Sequence, residues 1–185
     1  MTSHLLDFSQ NLAAIMPEIG SDRLPSLLIS MLKSLVPFDN AVILHYRRNA
    51  SVAVYYNDIP TLERKTQIDG FVNSAFVLDP FYRAATDQQV SGFHRLSDLA
   101  PEDFEKTEYY RTYFKYTEIN DEVGYIVHLS PTDFINISLG RDNSTQRFNR
   151  TQISILHDIN DVIEEICKQQ WDSEVKDNTN HENQL

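Results

Sequence analysis

Two pairs of β-forming segments, each joined by a short turn, most constrain what this chain can fold into. Residues 41–46 and 51–56 are rich in Val, Ile and Tyr and flank a four-residue turn, and residues 122–129 and 133–139 flank a three-residue turn with a central proline. Residues 92–96 predict a short middle strand. Because two-strand hairpins pair antiparallel, we expect an antiparallel sheet of five strands.

The segments between these strands have the three- and four-residue spacing of apolar positions that is typical of helices. It predicts helices over 4–16, 21–35, most of 61–90, 101–117 and 149–170. Helices that precede, separate and follow the hairpins must cover both faces of the sheet. The fold class expected is therefore α+β, a five-stranded antiparallel sheet with helices on both faces.

Composition limits the class of protein. A chain of 185 residues with 41% hydrophobic content fits one domain, which we expect over 1–171, followed by a polar linker or tail over 172–185. The net charge of -11 and the lack of a basic run argue against direct DNA binding. A lone cysteine, Cys167, excludes an internal disulfide and fits the cytoplasm, and no segment resembles a secretory signal or a membrane span.

Catalytic and metal-binding patterns are missing from the sequence. The six histidines are scattered without ligand spacing, and five glycines form no phosphate-binding loop. We therefore expect no enzyme activity, no cofactor and no metal. A small-molecule enzyme would need two titratable groups in one pocket, and Asp79 with either His94 or Glu122 is the pair that could supply them.

Tyrosine and phenylalanine supply the positive signal. Nine Tyr and ten Phe are present, and every buried tyrosine hydroxyl needs a hydrogen-bond partner. This pattern favours a cavity that is apolar on its walls and polar at a few points, as small-molecule sites are. The alternative is that these rings are ordinary amphipathic cover at a surface or a dimer contact.

Three motifs carry a resemblance to a known family. They are Leu78-Asp79-Pro80-Phe81-Tyr82, Gly92-Phe93-His94-Arg95-Leu96 and the acidic, tyrosine-rich run 101–111. Over roughly residues 5–170 the chain resembles the sensory half of LuxR-type transcriptional regulators, which has a GAF- or PAS-like fold. The resemblance implies a receptor whose Asp-Pro pair lies in the wall of a buried pocket, beneath a helix rich in aromatic residues.

Asp79 is the principal candidate for ligand binding. In the quorum-sensing members of the family, the matching aspartate accepts a hydrogen bond from the amide of an acyl-homoserine lactone. The alternative is that Asp79 only caps the helix that begins at Pro80. Ser138 and Asn136 resemble in placement the hydroxyl residue near the ligand of those receptors. The predicted ligand-binding residues are Tyr46, Tyr56, Phe76, Asp79, Tyr82, Phe93, Tyr110, Phe114 and Ser138.

The chain also departs from the lactone receptors. These use a tryptophan about a dozen residues ahead of the Asp-Pro pair, with a tyrosine four residues before it, whereas 63–69 here contains neither, and Trp171 is the sole tryptophan. The departure implies an orphan receptor for another ligand. Aromatic rings beside a carboxylate would suit an organic cation or a zwitterion.

The last predicted helix begins with a capping box, Asn149 with Gln152. We expect Ile155, Ile159, Val162 and Ile166 to form a row that joins two copies in a homodimer, although the same row could pack on the domain's own core. In LuxR-type regulators a DNA-binding helix-turn-helix module follows the sensory half, and these 185 residues contain none. A ligand-free interaction domain is the alternative function.

Overall fold

The computed structural model describes residues 2–48, 50–59 and 68–182, with side chains over 5–48, 50–59 and 68–172. The helices are α1 Thr2–Ile15, α2 Leu24–Leu35, α3 Gly70–Asn73, α4 Pro80–Gln88, α5 Leu96–Leu99, α6 Glu108–Thr112, α7 Arg150–Asp158 and α8 Asn160–Glu182. The strands are β1 Asn40–Tyr46, β2 Ala53–Asn57, β3 Gly92–Arg95, β4 Ile119–His128 and β5 Phe134–Asp142. Short 3-10 turns lie at Met16–Glu18, Ala75–Leu78, Phe104–Lys106 and Phe114–Tyr116.

The five strands form one antiparallel sheet in the order β2-β1-β5-β4-β3. The two hairpins predicted from the sequence are β1–β2 and β4–β5, and β1 pairs with β5 to join them. The short strand β3 is third along the chain but lies at an edge of the sheet, next to β4. This architecture confirms the predicted α+β fold class.

Side chains alternate between two cores, one on each face of the sheet. On the first face, which we call the bundle face, Ile43, Tyr125 and Ile137 pack with apolar residues of α1, α2, α7 and α8. On the second, which we call the cavity face, Leu44 and Ile126 pack with residues of α3, α4, α5 and α6. The predicted alternation of β5 is confirmed, since Ile135, Ile137 and Leu139 belong to the bundle-face core while Phe134 belongs to the cavity-face core.

The predicted helix over 101–117 is wrong in its continuity. Thr107 is extended and its hydroxyl accepts from the Tyr110 amide at 3.1 Å, so that α6 starts there as a separate helix. Tyr113 then leaves helical geometry with φ -132° and ψ -68°. Local side-chain bonding of this kind competes with helix propagation. The tyrosines of this segment consequently do not share one long helix face, and Tyr116 is exposed.

The predicted C-terminal helix is divided in two. The capping box is present, because the Asn149 side chain accepts from the Gln152 amide and the Gln152 side chain accepts from the Asn149 amide. The helix breaks at Ile159, and α8 then continues to Glu182, so the segment predicted as a polar linker or tail is helical as far as that residue. Trp171 is buried in the bundle-face core.

Two predictions concern residues outside the described part of the chain. The start of the predicted helix at 61 and most of the 63–69 stretch that lacks the expected tryptophan fall within 60–67, and Asn49 of the first turn is also outside it. Within the described residues, no helix is long and apolar enough to cross a membrane.

A candidate ligand-binding cavity

Asp79 is the N-cap residue of α4, as its position directly before Pro80 predicts. The proline that follows keeps Asp79 extended, at φ -65° and ψ 129°, and its carboxylate Oδ1 accepts from the Phe81 amide at 2.7 Å. The capping interpretation is thus confirmed. The same side chain is only 5% exposed and faces a cavity, so capping and a place in the cavity wall occur together.

A glycine in the sheet allows α4 to approach closely. A Cβ on Gly124 would lie 3.2 Å from the Phe81 ring and 2.7 Å from the Ile137 carbonyl oxygen. Phe81 is 1% exposed and lies in the cavity-face core. Because Gly124 has no side chain, the first turn of α4 can rest directly on the strands, which brings Asp79 to the sheet.

The cavity lies between the sheet and the helices of the cavity face, and its volume is about 50 Å³. A volume of this size holds on the order of four water-sized groups. The cavity is lined by residues near the end of β2 and the start of α3, by the N-terminus of α4, by the segment from Tyr109 to Ile119 and by the three central strands. The lining residues are Asn40, Val42, Leu44, Ile59, Ile68, Phe71, Asp79, Tyr109, Tyr113, Phe114, Thr117, Ile119, Glu122, Asn136, Ser138 and Gly140.

Two carboxyl groups face this cavity. That of Asp79 comes from the helix layer, and that of Glu122 comes from the sheet. Burial raises the pKa of Asp79 to about 7, although hydrogen bonds from the Phe81 and Tyr82 amides and from the Tyr109 hydroxyl oppose the rise. Burial, together with the negative charge of Asp79, raises the pKa of Glu122 to about 8. Both carboxyls therefore hold their protons to a higher pH than exposed carboxyls do.

Polar groups of β5 supply the sheet side of the cavity. The Ser138 hydroxyl lies 3.0 Å from Asn136 Oδ1, and the Asn136 amide nitrogen donates to the Tyr125 carbonyl oxygen at 3.3 Å. Ser138 also hydrogen-bonds Glu122, which partly offsets the rise in the pKa of that carboxyl. The strand thus presents both donors and acceptors next to the acidic pair.

The structure brings three of the nine predicted ligand-binding residues to the cavity, namely Asp79, Phe114 and Ser138. A neighbouring surface cleft contains Tyr46, Phe76 and Tyr82, whose rings lie 5.1 to 5.8 Å apart. Tyr110 lines a third cleft, which Phe114 shares with it.

Tyr56 and Phe93 are not brought to the cavity, because both pack against the bundle-face core. For Tyr56 the reason is a bulge: Ile43 pairs with Tyr56 but Leu44 pairs with Val54, so Tyr55 is an extra residue in β2. One extra residue moves every following side chain to the other face of a sheet. Phe93 of β3 pairs with Tyr125 of β4, and their ring centroids lie 5.2 Å apart.

Sequence reasoning missed Tyr109 and Tyr113 as lining residues and considered Glu122 only as a possible catalytic partner. A signal for Glu122 was available, because it alternates with Val123 and Tyr125 in β4 and so must face the side opposite to those core residues. The other suggested partner, His94, lies on β3 and bonds the Ser91 carbonyl oxygen at 2.9 Å, away from the cavity. Over the described residues, no three His, Cys, Asp or Glu side chains are grouped as metal ligands.

Comparisons with known proteins place this geometry in a family context. No protein-family model and no curated protein sequence matches the chain. Among solved structures, the ligand-binding domain of VqsR from Pseudomonas aeruginosa is 25% identical, with a TM-score of 0.72, over 88% of this chain and 94% of that one. CepR2 from Burkholderia cenocepacia, an N-acylhomoserine lactone dependent LuxR family transcription factor, is 11% identical, with a TM-score of 0.66, over 93% and 98%.

A GAF domain of a two-component sensor histidine kinase from Bacillus halodurans is 16% identical, with a TM-score of 0.50, over 85% of this chain and 98% of that one. The GAF-like arrangement expected of the five strands and their flanking helices is thus confirmed. These neighbours are a ligand-binding domain, a transcription factor and a GAF domain of a sensor kinase. Over most of its length the chain has the structure of the sensory domain of LuxR-type transcriptional regulators, as the Asp79-Pro80 region and its aromatic neighbours indicated.

Proposed function

We propose that this protein is the cytoplasmic, small-molecule-sensing domain of a LuxR-type transcriptional regulator. The observation that carries the proposal is the cavity beside the Asp79 carboxyl, on a fold shared with the VqsR ligand-binding domain. A ligand there would contact α4, the segment around α6 and the central strands at once. Through these contacts it would stabilise one packing of the helices and so control DNA binding by a helix-turn-helix module outside these residues.

The ligand is proposed to differ from an acyl-homoserine lactone. A cavity of about 50 Å³ is small beside the 300 to 1,000 Å³ or so that is common for drug-sized ligands. The only tryptophan, Trp171, lies in the bundle-face core on the other side of the sheet. The described cavity lining therefore contains no indole that could donate to a lactone carbonyl.

Asp79→Asn tests the proposal, because it removes the charge while keeping a side chain that caps helices equally well. Native mass spectrometry of the purified protein, followed by denaturation and small-molecule analysis, should identify a retained compound in the unchanged protein and little or none in Asp79→Asn. The matched control is Asp87→Asn, an exposed carboxylate on the same helix, which should retain the compound. If Asp79→Asn unfolds, or if no compound ever binds, Asp79 is a structural cap and a ligand-free interaction domain becomes the better function.

An enzyme is the second candidate, and one observation favours it. Asp79 and Glu122 share a cavity and both have a raised pKa, as acid–base catalysts often do. The same experiment separates the two functions. A receptor returns its compound chemically unchanged after incubation, whereas an enzyme converts it.

We also propose that the protein is a homodimer that pairs through α7 and α8. Ile155, Ile159 and Val162 are half-buried and retain apolar surface, whereas Ile166 is 3% exposed and belongs to the domain's own core. The break at Ile159 divides the predicted row between the two helices. The contact with a second copy would therefore be centred on Ile155, Ile159 and Val162.

A further inference from the structure

The described lining of the Asp79 cavity has acidic side chains and no basic side chain to balance their charge. It contains two carboxyl groups and no Lys, Arg or His side chain. Each charge held in such a low-dielectric site costs free energy unless an opposite charge accompanies it. Proteins often solve this with a buried ion pair, as Arg95 and Asp121 illustrate nearby at 3.4 Å. Among the described residues that line the cavity, none supplies such a cation to Asp79 or Glu122.

A third polar group, the Tyr46 hydroxyl, lies in the neighbouring cleft and outside the cavity lining. Tyr46 is 4% exposed, and its hydroxyl finds no hydrogen-bond partner among the described residues. Burial is the main cause of the raised pKa of Tyr46, and the charges of Asp79 and Glu122 add to the rise, so the hydroxyl lies within electrostatic range of both carboxyls. A buried hydroxyl without a partner is unfavourable, and a polar group bound beside it would recover that cost.

We propose that the ligand is an organic amine whose ammonium group binds between Asp79 and Glu122, an inference that rests on the proposed sensory function and names its ligand class. An ammonium group has three N–H donors and no acceptor, which matches two carboxylates and a neutral oxygen such as that of Asn136. The rings of Tyr109, Tyr113 and Phe114 line the remaining wall and suit the cation and its alkyl part.

The size of the cavity limits the amine. Because about 50 Å³ holds on the order of four water-sized groups, the enclosed part of the ligand has about four non-hydrogen atoms. The n-propylammonium ion meets this limit and has a single charge. Its uncharged counterpart n-propanol has nearly the same shape, which makes the two compounds a matched pair of probes.

Binding of the amine is coupled to proton release. Burial holds the pKa of Asp79 at about 7 and that of Glu122 at about 8, so bound ammonium draws both carboxyls into their ionised form and their protons pass to solvent. The other titratable groups that face the pair are Tyr46, Tyr109 and Tyr113, whose pKa is raised above 10 by burial, and Asp121, which pairs with Arg95. The tyrosines stay neutral over this range, so the two carboxyls dominate the pH dependence.

The test is an NMR titration of the full chain with n-propylammonium chloride, n-propanol and propionate at matched ionic strength, followed at the Phe81 amide that donates to Asp79. We expect the ammonium ion to bind at least about tenfold more tightly than n-propanol, because hydrogen bonds between charged groups are stronger than those of a neutral hydroxyl. Propionate should not bind, because the two carboxylates repel it. Affinity should rise at least about tenfold between about pH 6 and pH 8.5, where an alkylamine is still protonated.

Two substitutions complete the test. Glu122→Gln should weaken n-propylammonium binding at least about tenfold and reduce its pH dependence, because it removes one of the two charges. Glu165→Gln, at an exposed position of α8 that bonds Gln169 at 2.7 Å, should leave binding unchanged. Equal affinity for n-propanol, no binding of the ammonium ion, or binding that survives Glu122→Gln would overturn the ammonium inference.

Failure of this inference can be told apart from failure of the sensory function. A neutral compound that is retained by the purified protein and lost in Asp79→Asn would leave a sensor whose ligand is not an amine. If no retained compound is found and none of the three probes shifts the Phe81 amide, both proposals fail together.

Discussion

At the scale of single residues, Asp79 shows how one side chain serves structure and site together. Its position before Pro80 favours a cap, and the cap places its carboxyl in a region where burial raises the pKa to about 7. A structural role therefore does not argue against a functional one here. The structural cost of the site is that the buried Asp79 carboxyl and the half-buried Glu122 carboxyl share one cavity.

That cost predicts how stability varies with pH. The folded pKa of Asp79 is about 7 against an ordinary 3.8, and that of Glu122 is about 8 against 4.5, so the folded state binds more protons than the unfolded state between these values. The free energy of unfolding should then fall as pH rises from about 4 to about 8, by up to about 1.4 kcal/mol per pH unit for each carboxyl.

Urea denaturation between about pH 5 and pH 8 measures this slope. Asp79→Asn combined with Glu122→Gln should make the curve nearly flat in this range and raise stability at its alkaline end. Asp87→Asn, which is exposed, should keep the original slope. A stability curve of the unchanged protein that rises over this range would show that the pair does not titrate as described.

At the scale of elements, short-range chemistry decides where helices stop. Thr107 and Tyr113 divide one predicted helix into three pieces, and Ile159 divides another into two. Periodicity reports which residues share a face only while the helix continues. The Tyr109 and Phe114 side chains reach the cavity because the chain turns between them, which the uninterrupted helix would not allow.

The division at Ile159 also locates the proposed dimer contact. The substitution Ile155→Lys places a charge on the half-buried surface of α7. The lysine side chain can extend to solvent in a monomer but not in a packed dimer. Light scattering after gel filtration should give twice the chain mass for the unchanged protein and a shift toward the monomer mass for Ile155→Lys. Ser154→Lys is the matched control at the adjacent, exposed position and should remain dimeric. A monomeric unchanged protein would contradict the proposal.

At the scale of the whole molecule, the two faces of the sheet are joined through β1 and β2. Leu44 lines the cavity, while the adjacent His45 faces the bundle and its Nδ1 lies 3.0 Å from the Tyr55 hydroxyl. Tyr55 in turn stacks on Trp171 of α8, with centroids 5.2 Å apart and planes 6° apart. Under the proposed sensory function, these contacts are the route by which we expect occupancy of the cavity to reach α8.

This arrangement predicts where the domain can be shortened. Gln170 accepts from the Gly20 amide at 2.7 Å and donates to the Ser21 carbonyl at 3.2 Å, and Trp171 is 1% exposed. A chain that ends after Trp171 should keep its melting temperature, in line with a domain over 1–171. A chain that ends after Gln169 should lose about 3 kcal/mol or more, as when a buried tryptophan is removed. Thermal denaturation by circular dichroism distinguishes the two, and equal melting temperatures would place the boundary earlier.

The sequence alone determined the α+β class, the two hairpins, the cap at Asp79 and the capping box at Asn149, because these depend on residues close together along the chain. Only the tertiary structure decided that the bulge at Tyr55 turns Tyr56 away from the cavity and that Glu122 comes to face Asp79. Strand order, register and the face that a helix covers depend on contacts between distant segments. The set of residues that line the cavity is therefore a property of the packed molecule, and so is the kind of ligand that would fit there.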